Sequence, residues 1–325
     1  YPPDHKMYRE KSRRLMEYLR TFTKEIEQVS VDECYMDFTG IAGRWNSPVD
    51  GAVEIKDGIK ERFGFTVNIG ISTNKLLAKM ASDFEKPDRI HTLYPEEIKE
   101  KMWPLPIGEL YMAGKSSVEV LKKLEINTIG DLAQSDPRLI MLHLKSHGKM
   151  LWEFANGIGT SIVQSEPDEA KGIGNSTTLS EDAATMEEIR PVFERLAQSV
   201  GGRLKKAGKK AGMVSMEIKY YDFRTVSHQI QMDKPTNDPE VLKETACSLF
   251  LEVWSGEPVR LLGIRTSKLT DEAAPEQLSI FDIEIPKEPD EKHKRLKKAM
   301  DELNERFGEG AVMKASLMPK KPHNK

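Results

Sequence analysis

Two acidic side chains stand side by side at Asp32 and Glu33, within the stretch Ile26 to Gly40, IEQVSVDECYMDFTG. Adjacent carboxylates repel each other, and a divalent cation held between them turns that repulsion into a favourable site. Oxygen donors of this kind suit a hard cation, and a hard cation suits phosphate chemistry. An ordinary acidic turn accounts for the same pair, since Asp and Glu are common on exposed tips. A second candidate is Lys86, in the turn Asp83-Phe-Glu-Lys-Pro-Asp88. A lysine on a rigid frame beside a metal–carboxylate pair could hold a triphosphate as a point charge. A surface lysine near a helix C-terminus, favoured by the dipole, is the other reading.

The acidic pair needs a hairpin beneath it. Ile26 and residues 29–31 are β-type, and Cys34, Met36 and Phe38 alternate with Tyr35, Asp37 and Thr39 at the two-residue period of a half-buried strand. Around the hairpin, the pattern predicts a helix over 8–22 and a second helix opened by Ser47-Pro48, with Val49, Val53, Ile59 and Phe63 inward. A strand over Thr66 to Ser72, a helix over Asn74 to Phe84 and a strand at 90–93 complete an α/β layer for residues 1–94.

Residues 95–160 change to short helices with glycine joints. Gly114, Lys115 and Ser116 link two helical pieces, and INTIGDLA at Ile126 to Ala133 starts another unit. Helices joined by a tight glycine turn leave backbone N–H groups free for phosphate oxygens, which is the helix-hairpin-helix logic of sequence-independent DNA binding. A plain αα-corner fits the same joint. A polar linker over 161–173 leads to elements in the order β-α-β-β-α-β over 174–270, which fits a ferredoxin-like split βαβ unit. Pro191 inside its first helix predicts a kink or a later helix start. Between Arg190 and Lys234 ten basic residues face four acidic ones, a net charge of +6. The strand-borne Lys219 and Arg224 suit backbone phosphates, with salt-sensitive binding, while the 203–210 cluster also reads as a solvated helix face. In 271–325, Gln277, Leu278, Ile280 and Phe281 form a short apolar peptide in a polar stretch, suited to a partner's groove or to packing on its own domain. Asp290 to Phe307 reads as a charged amphipathic helix.

At 325 residues the chain has room for about two to three domains. The net charge of −3 does not announce a nucleic-acid binder, so the local charge carries that argument. Two distant cysteines, Cys34 and Cys247, argue against a disulfide framework or a zinc site and fit a reducing cytoplasm. No stretch reaches the roughly 18 apolar residues of a membrane span.

Taken in order, the motifs resemble the Y-family, translesion DNA polymerases of the bacterial DinB (DNA polymerase IV) type. The resemblance rests on Ser30-Val-Asp-Glu33 with Tyr35 and Asp37, on Gly70-Ile-Ser-x-Asn-Lys-x-x-Ala-Lys-x-Ala-Ser82 followed by Lys86-Pro87, on Leu105-Pro-Ile107 with Thr128-Ile-Gly-Asp-Leu132, and on Val259-Arg-Leu-Leu-Gly263. The fold it implies is α/β and α+β multidomain: a palm-type α/β layer, a small helical thumb with a helix-hairpin-helix, and a βαββαβ little finger. It implies low-fidelity, template-directed DNA synthesis across damage, with Asp32 and Glu33 as catalytic ligands of two Mg²⁺ ions and Lys86 on the incoming triphosphate. Primer–template DNA, deoxynucleoside triphosphates and the bacterial sliding clamp are the implied partners of a monomer. Thumb and little finger, with Arg260 among their residues, grip the DNA, and Gln277 to Phe281 looks like the clamp-binding peptide.

Three departures stand out. The family's first metal-binding aspartate, its steric-gate aromatic and its fingers precede the palm helix, and none is among these residues. The expectation is therefore a fragment with at most trace activity alone. Met112 stands where the family has the first glycine of a G-x-G turn, which puts phosphate contact there in question, and Arg89 stands where glycine often follows Lys-Pro-Asp. A non-catalytic DNA- and clamp-binding remnant is the alternative reading. A helix-hairpin-helix glycosylase leaves the Asp32–Glu33 hairpin unexplained.

Overall fold

Acidic and apolar punctuation sets the first elements. The computed structural model describes residues 3–166 and 168–273, together with 299, 302, 303 and 306. Asp4 accepts from the N–H groups of Lys6 and Met7 and opens α1, His5–Leu19, which buries Leu15, Met16 and Leu19. The hairpin follows as β1, Ile26–Gln28, paired antiparallel with β2, Cys34–Met36. These strands are shorter than the β-type run predicts. Val29 and Ser30 both donate to the Glu33 carbonyl, at 3.0 and 3.2 Å, so the chain turns there and leaves Val29 and Val31 exposed.

Ser47 caps α2, Pro48–Phe63, and Gly64 ends it in a left-handed conformation. Its buried face is Gly51, Ala52, Ile55 and Ile59. The helix is rotated from the expected face, and Val49 and Val53 are exposed. The turned-in face carries Gly51, which lies against Trp45 and Phe38 from the preceding segment, where a Cβ would approach to 3.0 Å. Next come β3, Ile69–Ile71, and β4, Ile90–Thr92, paired in parallel around α3, Lys75–Asp83. The strand predicted from Thr66 starts three residues late. The Asn68 side chain takes up local backbone groups instead, donating to the Ser82 and Glu85 carbonyls and accepting from the Arg89 N–H. Asn74 caps α3 through the Leu77 N–H at 2.9 Å, and Leu76, Leu77, Met80 and Ala81 point inward as expected.

The helical part holds α4, Lys115–Lys123, α5, Ile129–Gln134, and α6, Pro137–Ala155. Its core continues into the α/β layer: Leu77, Met80 and Leu93 pack in one cluster with Met102, Leu121, Ile129 and Leu151. The boundary expected between 94 and 95 therefore crosses a shared apolar core.

The chain divides into two compact units, Tyr1–Asp168 and Glu169–Lys325. In the second, β5, Gly172–Ala183, leads through α7, Met186–Lys206, to β6, Lys209–Tyr220; β7, Thr225–Thr236, then α8, Pro239–Val253, and β8, Val259–Asp271, follow. The strand order is β5-β8-β6-β7, with every neighbouring pair antiparallel. The expected split βαβ is present, and its inserted strand is β8, the last in sequence. Alternate residues Val214, Met216, Ile218 and Tyr220 are buried with Phe193 and Leu196 of α7 and Leu242 and Phe250 of α8. Each such side chain contributes about 1.5–3 kcal/mol by leaving water. Thr185 and Glu188 form a capping box at the start of α7, so Pro191 falls in its second turn and does not delay the helix. Gln277, Leu278, Ile280 and Phe281 lie outside the described residues, as does most of the segment read as a C-terminal helix.

Candidate functional site

The reversal between β1 and β2 is organised by one hydroxyl. Ser30 Oγ accepts from the N–H groups of Asp32 and Glu33, at 3.3 and 3.1 Å, and donates to Asp32 Oδ1 at 2.7 Å. The Gln28 amide ties this tip to α1, donating to Ser12 Oγ at 3.1 Å and to the Ser30 carbonyl at 3.0 Å. Asp32 and Glu33 therefore stand exposed on a turn whose backbone is held from beneath.

From α3, Lys79 reaches Glu33. Its Nζ lies 2.6 Å from Glu33 Oε1 and 3.3 Å from Asp83 Oδ2, and Lys86 Nζ lies 2.7 Å from Asp83 Oδ1. Glu33, Lys79, Asp83 and Lys86 thus form a chain of alternating charge joining the acidic tip to the turn after α3. Lys79 is only 19% exposed, whereas Lys86 is 61% exposed. Burial pushes the Lys79 ammonium down, and Glu33 and Asp83 more than offset it, so it stays charged. Burial lifts Asp83, and Lys86 and Lys79 outweigh that and hold it below the usual carboxylate range.

A second pair lies beside the first. Lys75 Nζ is 2.7 Å from Glu27 Oε2 and 5.6 Å from the centre of the Tyr35 ring. Glu27 also accepts from the Gln164 N–H at 2.9 Å. Burial lifts Glu27, but Gln164 and Lys75 prevail and lower it. Burial first, and the neighbouring Tyr111 next, push the Tyr35 phenol up to about 12, so it is a neutral hydroxyl. Burial likewise pushes the Cys34 thiol up to about 11, which leaves it unreactive. Asp37 is spent on the turn that follows, where it accepts from the Thr39 N–H at 2.7 Å.

The donor chemistry at the tip suits a hard divalent cation. Magnesium is typically held by one or two carboxylates, with substrate phosphates and water completing its shell. Asp32 and Glu33 supply two such groups. Among the described residues, no group of three or more His, Cys, Asp or Glu side chains is placed to hold a metal by itself.

In the helical part, Gly114 is the N-cap of α4 and no side chain caps that helix. The left-handed residue of the turn is Met112, at φ +69°, with Gly114 N donating to its carbonyl at 3.0 Å. Met112 thus takes up a left-handed conformation that glycine adopts freely. The start of α5 is different: Asp131 accepts from the Asn127 and Thr128 N–H groups and closes that end to phosphate. Sequence reasoning missed a further joint. Lys145, at φ 53° and ψ −137°, breaks α6 into two halves, and Gly148 lets them approach, since a Cβ there would meet the Ile140 carbonyl at 2.8 Å. The signal was the run Lys145-Ser-His-Gly148-Lys149, basic and glycine-containing inside an apolar pattern.

On the second unit, the three expected basic contacts each have protein partners. Arg260 grips Asp182 with two hydrogen bonds, at 3.1 and 3.0 Å. Arg224 pairs with Glu257 and lies 4.6 Å from the Tyr220 ring centre. Lys219 and Arg260 lie 5.0 and 4.9 Å from the ring centre of Phe223, an exposed aromatic at φ +68°. A phosphate on this surface has to compete with Glu257 and Asp182.

Comparison with known proteins gives one consistent answer. The family described as impB/mucB/samB matches residues 1–83, and its C-terminal domain matches residues 170–280. The DNA polymerase IV of Clostridium acetobutylicum is 42% identical over 320 residues, covering 98% of this chain and 79% of that protein. DNA polymerase IV 1 of Bacillus subtilis is 36% identical over 321 residues, covering 98% and 76%. Among solved structures, a Y-family DNA polymerase chimera built from Dbh and Dpo4 matches with a TM-score of 0.71 at 22% identity, covering 82% of this chain and 78% of the chimera, which is a likeness of fold.

Proposed function

The chain belongs to the impB/mucB/samB family, as a Y-family polymerase of the DNA polymerase IV type, and we propose how its residues serve translesion DNA synthesis. It is a DNA-directed DNA polymerase. Asp32 and Glu33 hold the divalent cations of the reaction, two Mg²⁺ ions in the complete site. Bound there, the ions would favour the attacking form of a primer 3′-hydroxyl and offset charge on the departing pyrophosphate. The remaining roles belong to the chain itself. Ser30 fixes the orientation of Asp32 through its 2.7 Å hydrogen bond. Lys86 binds the triphosphate of the incoming nucleotide as a point charge, leaving Asp83 to do so. Gly114, Lys115 and Ser116 offer backbone N–H groups to a DNA phosphate at the uncapped start of α4. Lys219, Arg224 and Arg260 exchange their present partners for backbone phosphates, which makes binding salt-sensitive.

The observation that carries this reading is the ion-pair chain from Glu33 to Lys86. It links Glu33, the neighbour of Asp32, to the exposed Lys86 through Lys79 and Asp83, which supports a cation and triphosphate role for this edge of the unit. Gln277, Leu278, Ile280 and Phe281 dock on the sliding clamp, a role that rests on their sequence pattern. The polymerase works as a cytoplasmic monomer on primer–template DNA.

Primer extension by the full-length polymerase tests the core of this reading. Asp32→Ala and Glu33→Ala should each lower synthesis by about a hundredfold or more, with DNA affinity little changed. Retained synthesis in either variant counts against the assignment. Deleting Gln277 to Phe281 should remove clamp stimulation and leave basal synthesis intact.

A further inference from the structure

Glu33 belongs to two arrangements at once. As a metal ligand in the reading above, it must turn a carboxylate oxygen to a cation shared with Asp32. In the structure that carboxylate already has a cation, Lys79 Nζ at 2.6 Å. A second positive charge at the same oxygen has to displace the first.

The fold makes that displacement inexpensive. Lys79 stands on α3, which is anchored by the Asn74 cap and by Leu77, Met80 and Ala81 in the core, so its base cannot drift. Its side chain is only 19% exposed, and a largely covered ammonium left without a partner would be costly. Asp83, one turn along the same helix, prevents this. Its Oδ2 lies 3.3 Å from Lys79 Nζ, longer than the bond to Glu33 and ready to shorten. Asp83 also holds Lys86 through its other oxygen. When Lys86 leaves for a triphosphate, Asp83 has only Lys79 to neutralise, and the pull on Lys79 away from Glu33 grows. Nucleotide arrival and release of the metal-ligating carboxylate are then coupled through two lysines and one aspartate.

We propose that Lys79 is a positioning residue that stands in for the divalent cation at Glu33 and yields that carboxylate when the cation binds, retreating onto Asp83. The inference rests on the assignment of Glu33 as a metal ligand. It gives the acidic tip a defined resting state, in which its repulsion is relieved before any metal is present.

The test is a titration of the full-length polymerase with Mn²⁺ alone, without DNA or nucleotide, followed by the electron paramagnetic resonance of the free ion. Lys79→Met should tighten Mn²⁺ binding by about threefold, the scale of one partly exposed ion pair. Lys79→Arg, which keeps the pair, should leave it unchanged. In a Glu33→Gln background, Lys79→Met should have no effect on the residual affinity, because the contested carboxylate is gone. Thermal melts confirm that each variant is folded, with Lys79→Gln in reserve for a Lys79→Met protein that is not. Unchanged or weaker Mn²⁺ binding in folded Lys79→Met overturns the proposal, as does equal tightening in the Glu33→Gln background, which would mark a general charge effect. Mn²⁺ affinity indifferent to both Asp32→Ala and Glu33→Gln overturns the metal assignment itself, and the inference with it.

Discussion

In the first unit Lys79 reaches Glu33 across 46 residues of sequence, from a nine-residue helix to the turn that precedes a three-residue strand. In the second, Arg260 grips Asp182 on a sheet whose strands run 12 or 13 residues. Both contacts join charged groups far apart in the chain, but they hang on different supports. The second sheet is held by long ladders and by a core that includes Phe193, Tyr220 and Phe250. Its shape does not depend on where its arginines point. Around the acidic tip there is little ladder, and side chains do the positioning: Ser30 under the turn, Gln28 to α1, Lys79 from α3. The lesson is that charge is decoration on the one surface and part of the scaffold at the other. Changes of charge should therefore move the tip and spare the sheet, and changes of apolar volume should do the reverse.

The largest expected effect is on the sheet side. Phe193→Ala should cost the second unit about 3–5 kcal/mol in urea unfolding and leave Mn²⁺ affinity at the acidic tip unchanged. A cost below about 1 kcal/mol would break the comparison, because it would mean that the core does not carry the sheet. Next is Lys145→Gly. The backbone at φ 53° and ψ −137° is territory that glycine occupies freely and lysine does not. The substitution should stabilise the helical part by about 1–2 kcal/mol in the same assay. Destabilisation would show that the lysine side chain holds the joint. The smallest effect is on pH. Glu27 and Asp83 both have folded values below the ordinary carboxylate range, through Gln164 and Lys75 in one case and Lys86 and Lys79 in the other, in each case against burial. Their stabilisation is complete above the unfolded value of about 4 and is lost as pH falls through the lower folded value. The melting temperature of the first unit should fall as pH drops below about 4, and Glu27→Gln should flatten that limb. An unchanged limb in Glu27→Gln would place the acid sensitivity elsewhere.

Much of this was legible in the residues. The reversal at Asp32 and Glu33, the Asn74 start of α3, the Thr185–Glu188 capping box and the split βαβ follow from turn, cap and period signals, which are local. The lengths of the short strands were not, because the Ser30 hydroxyl takes up the Asp32 and Glu33 N–H groups and the Asn68 side chain takes up the Arg89 N–H. The rotation of α2 depends on Trp45 and Phe38 lying over Gly51, a contact between elements. Within the candidate site, Asp32 and Glu33 were singled out by residue type and adjacency, and Lys86 by its place in the turn after α3. Lys79 and Asp83 could not be assigned their part, though their spacing along α3 places them on one helix face. What joins them to Glu33 is the packing of α3 beside the hairpin, which no window of sequence contains. The carboxylate partners of Arg224 and Arg260 were hidden for the same reason.

The central claim is that Asp32 and Glu33 together hold the reaction's divalent cation. Anomalous diffraction from Mn²⁺ in crystals of the full-length polymerase with primer–template and a non-hydrolysable nucleotide addresses it most directly. The account predicts a peak about 2.0–2.5 Å from a carboxylate oxygen of each residue, with Glu33 turned away from Lys79. A cation bound elsewhere, with Glu33 still paired to Lys79, would contradict it.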